Sequence, residues 1–413
     1  MKLRVIDAFK TVEDDGYRQS MPIVHVIGRD QSWERQHIPI DGFRNYFLVR
    51  QSEWVEKGEE VGDDERILDV ETTDRRGRQE TAIDGEPLFR IVCRTPDDVR
   101  DLREVFDDPF EADVKYPVRF LVDFDAKQWI EVPDDTSERT ISADEVSIGV
   151  DEESEQTPPP RLCTYDIEVK QGGDGPPVVS KDGTEQARNP ITAITAHDSY
   201  TDEYKMWVLA NGNWDIPDYE TARDAVNAQS SSVDDDGNGD SAERVTDVDV
   251  NIYSNPQDVA GLFCEWIVER GFDALTAWNG NGFDHPYLVN YCLNHGVNAV
   301  YDLSPTGDVY DMNGHGNWIN SSLKGRLLVD LMELYDKTEI HSLDSYRLED
   351  VAEENGVSVG KLSIEDEIDV PEDEPAIDYA WANHPDVFTK YSLRDVKAAV
   401  AINRESKGEV SIL

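Results

Sequence analysis

The chain is poor in lysine, in paired cysteines and in long apolar runs. Of its 39 basic residues only 14 are Lys and 25 are Arg, against 88 Asp and Glu, which leaves a net charge of −49 over 413 residues. The four cysteines, Cys93, Cys163, Cys264 and Cys292, lie far apart, and no two form a C-x-x-C pair. Each sits in an apolar stretch, where a free thiol behaves as a small hydrophobe, so a structural zinc site or a disulfide framework is disfavoured. No apolar run approaches the ~20 residues that cross a bilayer. Met1 to Lys10 has a strand pattern and lacks the long apolar core of a signal peptide. These absences lead us to expect a soluble, cytoplasmic protein with no membrane partner.

Hydrophobic residues still make up 38%, with 9 Trp, 16 Tyr and 12 Phe, which is enough for a packed core and argues against wholesale disorder. At roughly 150 residues per domain the length favours two or three domains. In dilute salt so acidic a surface repels nucleic acid and itself. At molar salt the Debye length shrinks to about 3 Å and that repulsion largely disappears. The acids recur from Asp14 to Glu409 rather than in one tail, a pattern that looks like the proteins of salt-accumulating haloarchaea. The charge then reports the solvent, and DNA remains an admissible partner.

Residues 1–155 read as strand-rich. Leu3–Ile6, Ile23–Ile27, Tyr46–Val49 and Phe89–Cys93 are short β-favouring runs bounded by turn residues. Thr95-Pro96 opens a helix through Val99, Leu102, Val105 and Phe106, and the polar segment 57–86 reads as a loop or loose hairpin. Asp151–Pro160 joins a charge run to three prolines, the composition of an extended linker. The domain break is therefore expected there, with a second domain over 156–413. That domain begins with three strands (Leu162–Val169, Ile191–Ala196, Lys205–Leu209) and then alternates helix and strand, an α/β pattern. An acidic, low-complexity insertion is expected near 228–245, and 364–375 reads as an acidic loop.

Three short segments carry candidate chemistry. In Thr164-Tyr165-Asp166-Ile167-Glu168, strand alternation brings Asp166 and Glu168 out on one face. Such neighbours repel unless a cation sits between them, yet an acidic strand face in an acidic chain is an equally ordinary explanation. In Trp278-Asn279-Gly280-Asn281-Gly282-Phe283-Asp284-His285-Pro286, a strand ends in a glycine-rich turn and Asp284 opens a helix, either as its N-cap or as a ligand. In Tyr391-Ser392-Leu393-Arg394-Asp395, Tyr391 and Asp395 are four apart and share a helix face, as many surface pairs do.

Taken in order, D-x-E, N-x-x-x-F-D and Y-x-x-x-D resemble the three proofreading motifs of family B DNA polymerases. Glu111–Asp123, Lys324–Leu331 and Tyr346–Ala352 are similar to family sequence as well, so the resemblance covers most of the chain. It implies an α/β fold, with an α+β N-terminal domain followed by a ribonuclease H-like exonuclease domain. It further implies a metal-dependent 3′–5′ exonuclease acting on single-stranded or frayed DNA 3′ ends, with replication or repair proteins as possible partners. Four carboxylates, Asp166, Glu168, Asp284 and Asp395, would hold two Mg²⁺ or Mn²⁺ ions, whose oxygen-only ligand set suits those metals. Tyr391 would orient the attacking water, and Asn279 and Phe283 would contact the terminal nucleotide.

The resemblance also marks a departure. No S-L-Y-P or D-T-D polymerase motif occurs in the 413 residues, so nucleotide addition is not expected of this chain, whether it is a stand-alone protein or a fragment of a polymerase. The alternatives to an exonuclease are a non-catalytic DNA-binding or replisome module, and another nuclease on the same fold. His315, in Asn313-Gly314-His315-Gly316, is a loop histidine that reads as a bystander.

Overall fold

The structure is a computed structural model that describes residues 1–12, 21–126, 129–134, 136, 139–149, 159–172, 187–212, 214, 220–226, 248–310, 323–338, 343–357 and 363–405. Most of the expected linker, the acidic insertion near 228–245 and His315 lie outside these residues. The chain divides into two compact units, Met1–Pro159 and Pro160–Leu413.

In the first unit, strands β1 (Lys2–Val12), β2 (Pro22–Asp30) and β3 (Arg35–Asp41) form an antiparallel meander. Strand β4 (Asn45–Arg50), helix α1 (Gln51–Val61), β5 (Ile67–Glu71), β6 (Leu88–Cys93) and helix α2 (Pro96–Leu102) follow, then helix α3 (Tyr116–Asp123) and the short strands β7 (Trp129–Glu131), β8 (Ile141–Ser142) and β9 (Ser147–Ile148). They make one six-stranded sheet, β8-β3-β2-β1-β7-β9, and one three-stranded sheet, β4-β6-β5. Phe43, Phe120 and Phe124 join Leu3, Val24 and Ile38 in the core of the larger sheet. The Thr95 hydroxyl and the Asp98 carboxylate cap each other's backbone at the start of α2. Its α-helix ends at Leu102, earlier than the apolar stripe suggests, and continues as one 3₁₀ turn over Arg103–Val105.

Segment 57–86 is a correction. It holds the end of α1 and all of β5 rather than a loop or loose hairpin. Val61 is the one fully buried side chain of α1, and without an apolar stripe its helical period leaves no trace in the sequence.

The second unit is built on a mixed six-stranded sheet in the order β13-β12-β11-β10-β14-β15. Strands β10 (Leu162–Val169), β11 (Ile191–Asp198) and β12 (Glu203–Leu209) are antiparallel neighbours. Strand β13 (Asp249–Tyr253) pairs parallel with β12. On the other side β14 (Ala274–Ala277) runs parallel to β10, and β15 (Leu327–Asp330) parallel to β14. Helices α4 (Pro256–Arg270), α5 (Asp284–His295), α6 (Leu331–Thr338), α7 (Leu348–Glu354), α8 (Ile364–Glu367), α9 (Ala376–Asn383) and α10 (Pro385–Glu405) complete it. Helix α4 shows why such elements start and stop where they do: Asn255 caps its first turn, Pro256 occupies the first position, and Gly271 ends it at φ 64. Helix α8 is a second correction, since 364–375 reads as loop in sequence.

The two faces of β10 face different helices. Tyr165, Ile167 and Val169 are buried, and the Tyr165 ring lies 5.2 Å from that of Phe263 on α4. Asp166 and Glu168 take the opposite face, where Asp166 pairs with Thr195 across the β10–β11 ladder. Directly paired residues share a face, and Thr195 Oγ1 lies 2.7 Å from Ser392 Oγ of α10. The acidic face of β10 therefore looks toward α10, whose Asp395 is three residues beyond Ser392. The mixed α/β fold is the one expected, and it agrees with a ribonuclease H-like arrangement.

Candidate active site

Alternation along β10 and one helical turn of α10 bring three carboxylates together. One oxygen each from Asp166, Glu168 and Asp395 lies within 4.8 Å of the others. Among the described residues, none of the three forms an ion pair with Lys or Arg. Each retains some exposed surface, but protein surrounds it on most sides. Burial is the first cause that pushes the Asp166 and Glu168 carboxyls well above the usual carboxylate range. The neighbouring acids add to it: Asp284, Glu168 and Asp395 act on Asp166, and Asp395 and Asp284 on Glu168. Burial also raises Asp395 to about 7, against the nearby Tyr391 hydroxyl, which favours its charged form.

Asp284 arrives from another direction. It is 3% exposed and is the first residue of α5, behind an N-cap Phe283 that makes no side-chain cap. Its own side chain is not spent on capping: Oδ1 accepts the backbone N–H of Ile167 at 3.2 Å. Burial raises the Asp284 carboxyl to about 7, against that N–H and its own backbone N–H. Asp284 thus sits against the strand between Asp166 and Glu168, beside the trio rather than within it.

Tyr391 lies one helical turn before Asp395 on α10 and shares a helix face with it. The charge of Glu168, then burial, then Asp395 hold the phenol far above its ordinary range, so it stays protonated and serves as a donor. Asn279 is exposed, in a left-handed conformation at φ 59, which Asn tolerates better than most residues. Its carbonyl accepts the N–H groups of Gly282 at 2.9 Å and Phe283 at 3.0 Å, so its visible work is to shape the turn. Phe283 is half-buried, its ring 5.2 Å from that of Tyr287.

Sequence reasoning missed the supports of this turn. His285 is 1% exposed; its Nδ1 lies 2.8 Å from the Tyr165 hydroxyl and its Nε2 3.4 Å from the Val329 carbonyl. It joins α5 to β10 and β15, and burial lowers it to about 4, which keeps it neutral. A Cβ on Gly280 would meet His285 Nε2 at 2.6 Å, so glycine is needed there for space. Gly280 and His285, five residues apart, were readable in sequence, but their contact depends on a fold the sequence does not display.

The donor set suits a divalent metal. Carboxylate oxygens are hard ligands of the kind Mg²⁺ and Mn²⁺ take. Like charges gathered in a partly desolvated place, with no Lys or Arg ion-paired to them among the described residues, are relieved by a bound cation.

The fold and site together define a mixed α/β protein with an acidic, metal-competent cluster on its central strand. Residues 107–351 match the model of the DNA polymerase family B exonuclease domain, more than half of the chain, and the chain belongs to that family. Tyr391 and Asp395 lie beyond the matched residues. The chain is 27% identical over 249 residues to a DNA-directed DNA polymerase of Enterobacteria phage T4, covering 59% of this chain and 25% of that one. It is 24% identical over 357 residues to DNA polymerase 2 of Aeropyrum pernix, covering 82% of this chain and 38% of the other. In fold it is similar to the family B DNA polymerase of Pyrobaculum calidifontis, with a TM-score of 0.63 at 20% identity, over 98% of this chain and 45% of that one. The chain thus spans less than half the length of each of these proteins.

Proposed function

We propose that this chain is a metal-dependent 3′–5′ exonuclease that hydrolyses phosphodiester bonds at DNA 3′ ends. The observation that carries this reading is the meeting of Asp166, Glu168 and Asp395 within 4.8 Å, with Asp284 against the same strand and a protonated Tyr391 beside them. Asp166, Glu168 and Asp395 would hold one Mg²⁺ or Mn²⁺, and Asp166 with Asp284 a second. Bound ions of this kind supply an activated water and neutralise the leaving oxygen.

The chain's own residues do the rest. The four carboxylates fix ligand charge and position, and Ile167 N–H keeps Asp284 turned toward β10. Tyr391, a neutral phenol that donates rather than takes up a proton, gives a hydrogen bond that orients the attacking water. Phe283, half-buried at the mouth of the α5 turn, offers a face to the terminal nucleotide, with Asn279 exposed beside it. Molar salt screens the −49 charge enough for DNA to approach, and the strands engaged are single-stranded or frayed ends. Nucleotide addition requires its own carboxylate motifs, which these 413 residues lack.

Degradation of labelled single-stranded DNA in Mg²⁺ and molar KCl tests the proposal. A 5′ label should descend as a ladder, a 3′ label should appear at once as mononucleotide, and circular single strands should survive. Cutting of circles would mean an internal nuclease instead. Primer extension by this chain would contradict the absence of polymerisation.

A further inference from the structure

Asp330 closes β15 and is 5% exposed, where a carboxylate needs partners to offset its lost hydration. It has two, from separate parts of the chain. Its Oδ1 accepts the N–H of Glu333 at 3.1 Å, the bond that an N-cap side chain makes to the first turn of a helix, here α6. Its Oδ2 accepts the N–H of Asn281 at 3.0 Å, midway along the turn between β14 and α5. The β14–β15 register pairs Asp330 with Ala277, so the carboxylate stands level with the point where that turn leaves the sheet.

The turn is otherwise closed by its own backbone, through the Asn279 and Gly280 carbonyls. Such closure fixes its shape but does not tie it to the rest of the molecule. Asp330 ties the turn's backbone to β15 and α6, beside the longer 3.5 Å bond from the Asn281 side chain to Glu333 and the His285 contacts that follow the turn. The residue the turn delivers is Asp284. The two acids are close enough that the charge of Asp330 adds to burial in raising the Asp284 carboxyl.

We infer that Asp330 is a positioning residue: by bridging the Asn281 N–H to the start of α6, it fixes the turn that sets Asp284 against Ile167. Asp330 acts through the turn and stands outside the carboxylate trio. The inference rests on the exonuclease reading for its effect on cleavage, and on geometry alone for its effect on metal binding.

Capping and bridging are separable by substitution. Serine is a good N-cap, but its single short hydroxyl cannot serve Glu333 and Asn281 together. Asp330→Ser should therefore keep a thermal midpoint near wild type, whereas Asp330→Ala lowers it. Displacement of a reacting group by ~1 Å costs about 10²-fold in rate, so kcat on single-stranded DNA should fall by about that factor in both variants, with KM little changed. In Mn²⁺ titration followed by electron paramagnetic resonance, without DNA, Asp330→Ser should bind at least about 10-fold more weakly, the cost of losing a group that orients a ligand.

Wild-type kcat and wild-type Mn²⁺ affinity in Asp330→Ser would overturn the inference and leave Asp330 a helix cap. If Asp330→Ser is itself destabilised, Asp330→Asn makes the same comparison with side-chain volume kept and one acceptor lost. A wild-type chain that binds Mn²⁺ but cuts no DNA would sink the exonuclease reading, and the Mn²⁺ titration would still decide the role of Asp330.

Discussion

The backbone N–H of Ile167 donates to Asp284 Oδ1 across 3.2 Å. The residue that separates Asp166 from Glu168 on β10 is therefore also the one that receives the acid arriving from α5. One oxygen of Asp284 is thereby held by the strand. The site is thus organised around three consecutive residues of one strand, with α5 and α10 each delivering one further carboxylate to them.

Tyr391→Phe should slow cleavage and leave metal binding nearly intact. The substitution removes the hydroxyl that lies near Glu168 and Asp395 and keeps the ring and all four carboxylates. Orienting and acid–base groups are worth about 10²–10⁴ in rate, and a group that only orients water belongs at the low end. Single-turnover cleavage and Mn²⁺ titration on the same variant make the comparison. An unchanged rate would assign Tyr391 to helix packing.

Asp395→Asn should do more harm than Tyr391→Phe, because it takes a charge from the trio as well as a ligand. Cleavage should become undetectable at metal concentrations that saturate wild type, with partial recovery at much higher Mn²⁺. Equal saturation curves for the two proteins would remove Asp395 from the metal site.

Without metal, the site should destabilise the fold as pH rises. Asp284 and Asp395 are each raised from 3.8 to about 7, so between those values the folded state binds more protons than the unfolded state. Stability then falls with increasing pH across that window; below pH ~4 both states are protonated and this penalty is absent. Thermal melts in EDTA and molar KCl from pH 4 to pH 8 should show the fall, and Asp395→Asn should make it shallower. Saturating Mg²⁺ should reverse it, since a ligand at about 100 times its Kd adds about 2.7 kcal/mol. A stability that rises across this window in EDTA would contradict the raised carboxyls.

Gly280→Ala should destabilise the protein by about 1–3 kcal/mol, the usual cost of an extra methyl in a packed place. The new Cβ would stand 2.6 Å from His285 Nε2 and 3.0 Å from the Ala277 Cβ. Denaturant titration measures this directly, and removing the imidazole as well, in Gly280→Ala/His285→Ala, should give less than the sum of the two single losses. Strict additivity would mean that the alanine is accommodated elsewhere.

The legible parts of this molecule are those where apolar residues keep a period. Strand β10 was readable because Tyr165, Ile167 and Val169 alternate with two acids, and α10 because Val396, Ala399 and Val400 mark its buried side. Helix α1 and strand β5 were not, since their side chains are largely exposed. Strand β13 also escaped notice, an edge strand with Val250 as its one fully buried residue. In the site, Asp166, Glu168 and Asp395 could be chosen because ordered motifs named them. The roles of Asp330 and His285 could not, because each is defined by hydrogen bonds to backbone or side chains more than 40 residues away rather than by neighbours in sequence.

The most direct measurement is cleavage of 5′-labelled single-stranded DNA by the wild-type chain and by Asp166→Ala, side by side, in Mg²⁺ and molar KCl. Asp166 is the residue common to both proposed metal positions, so its loss should remove activity rather than reduce it. The account predicts a descending ladder with wild type, none with Asp166→Ala, and none with either in excess EDTA. A ladder of equal rate from Asp166→Ala, or one that persists in EDTA, would contradict it.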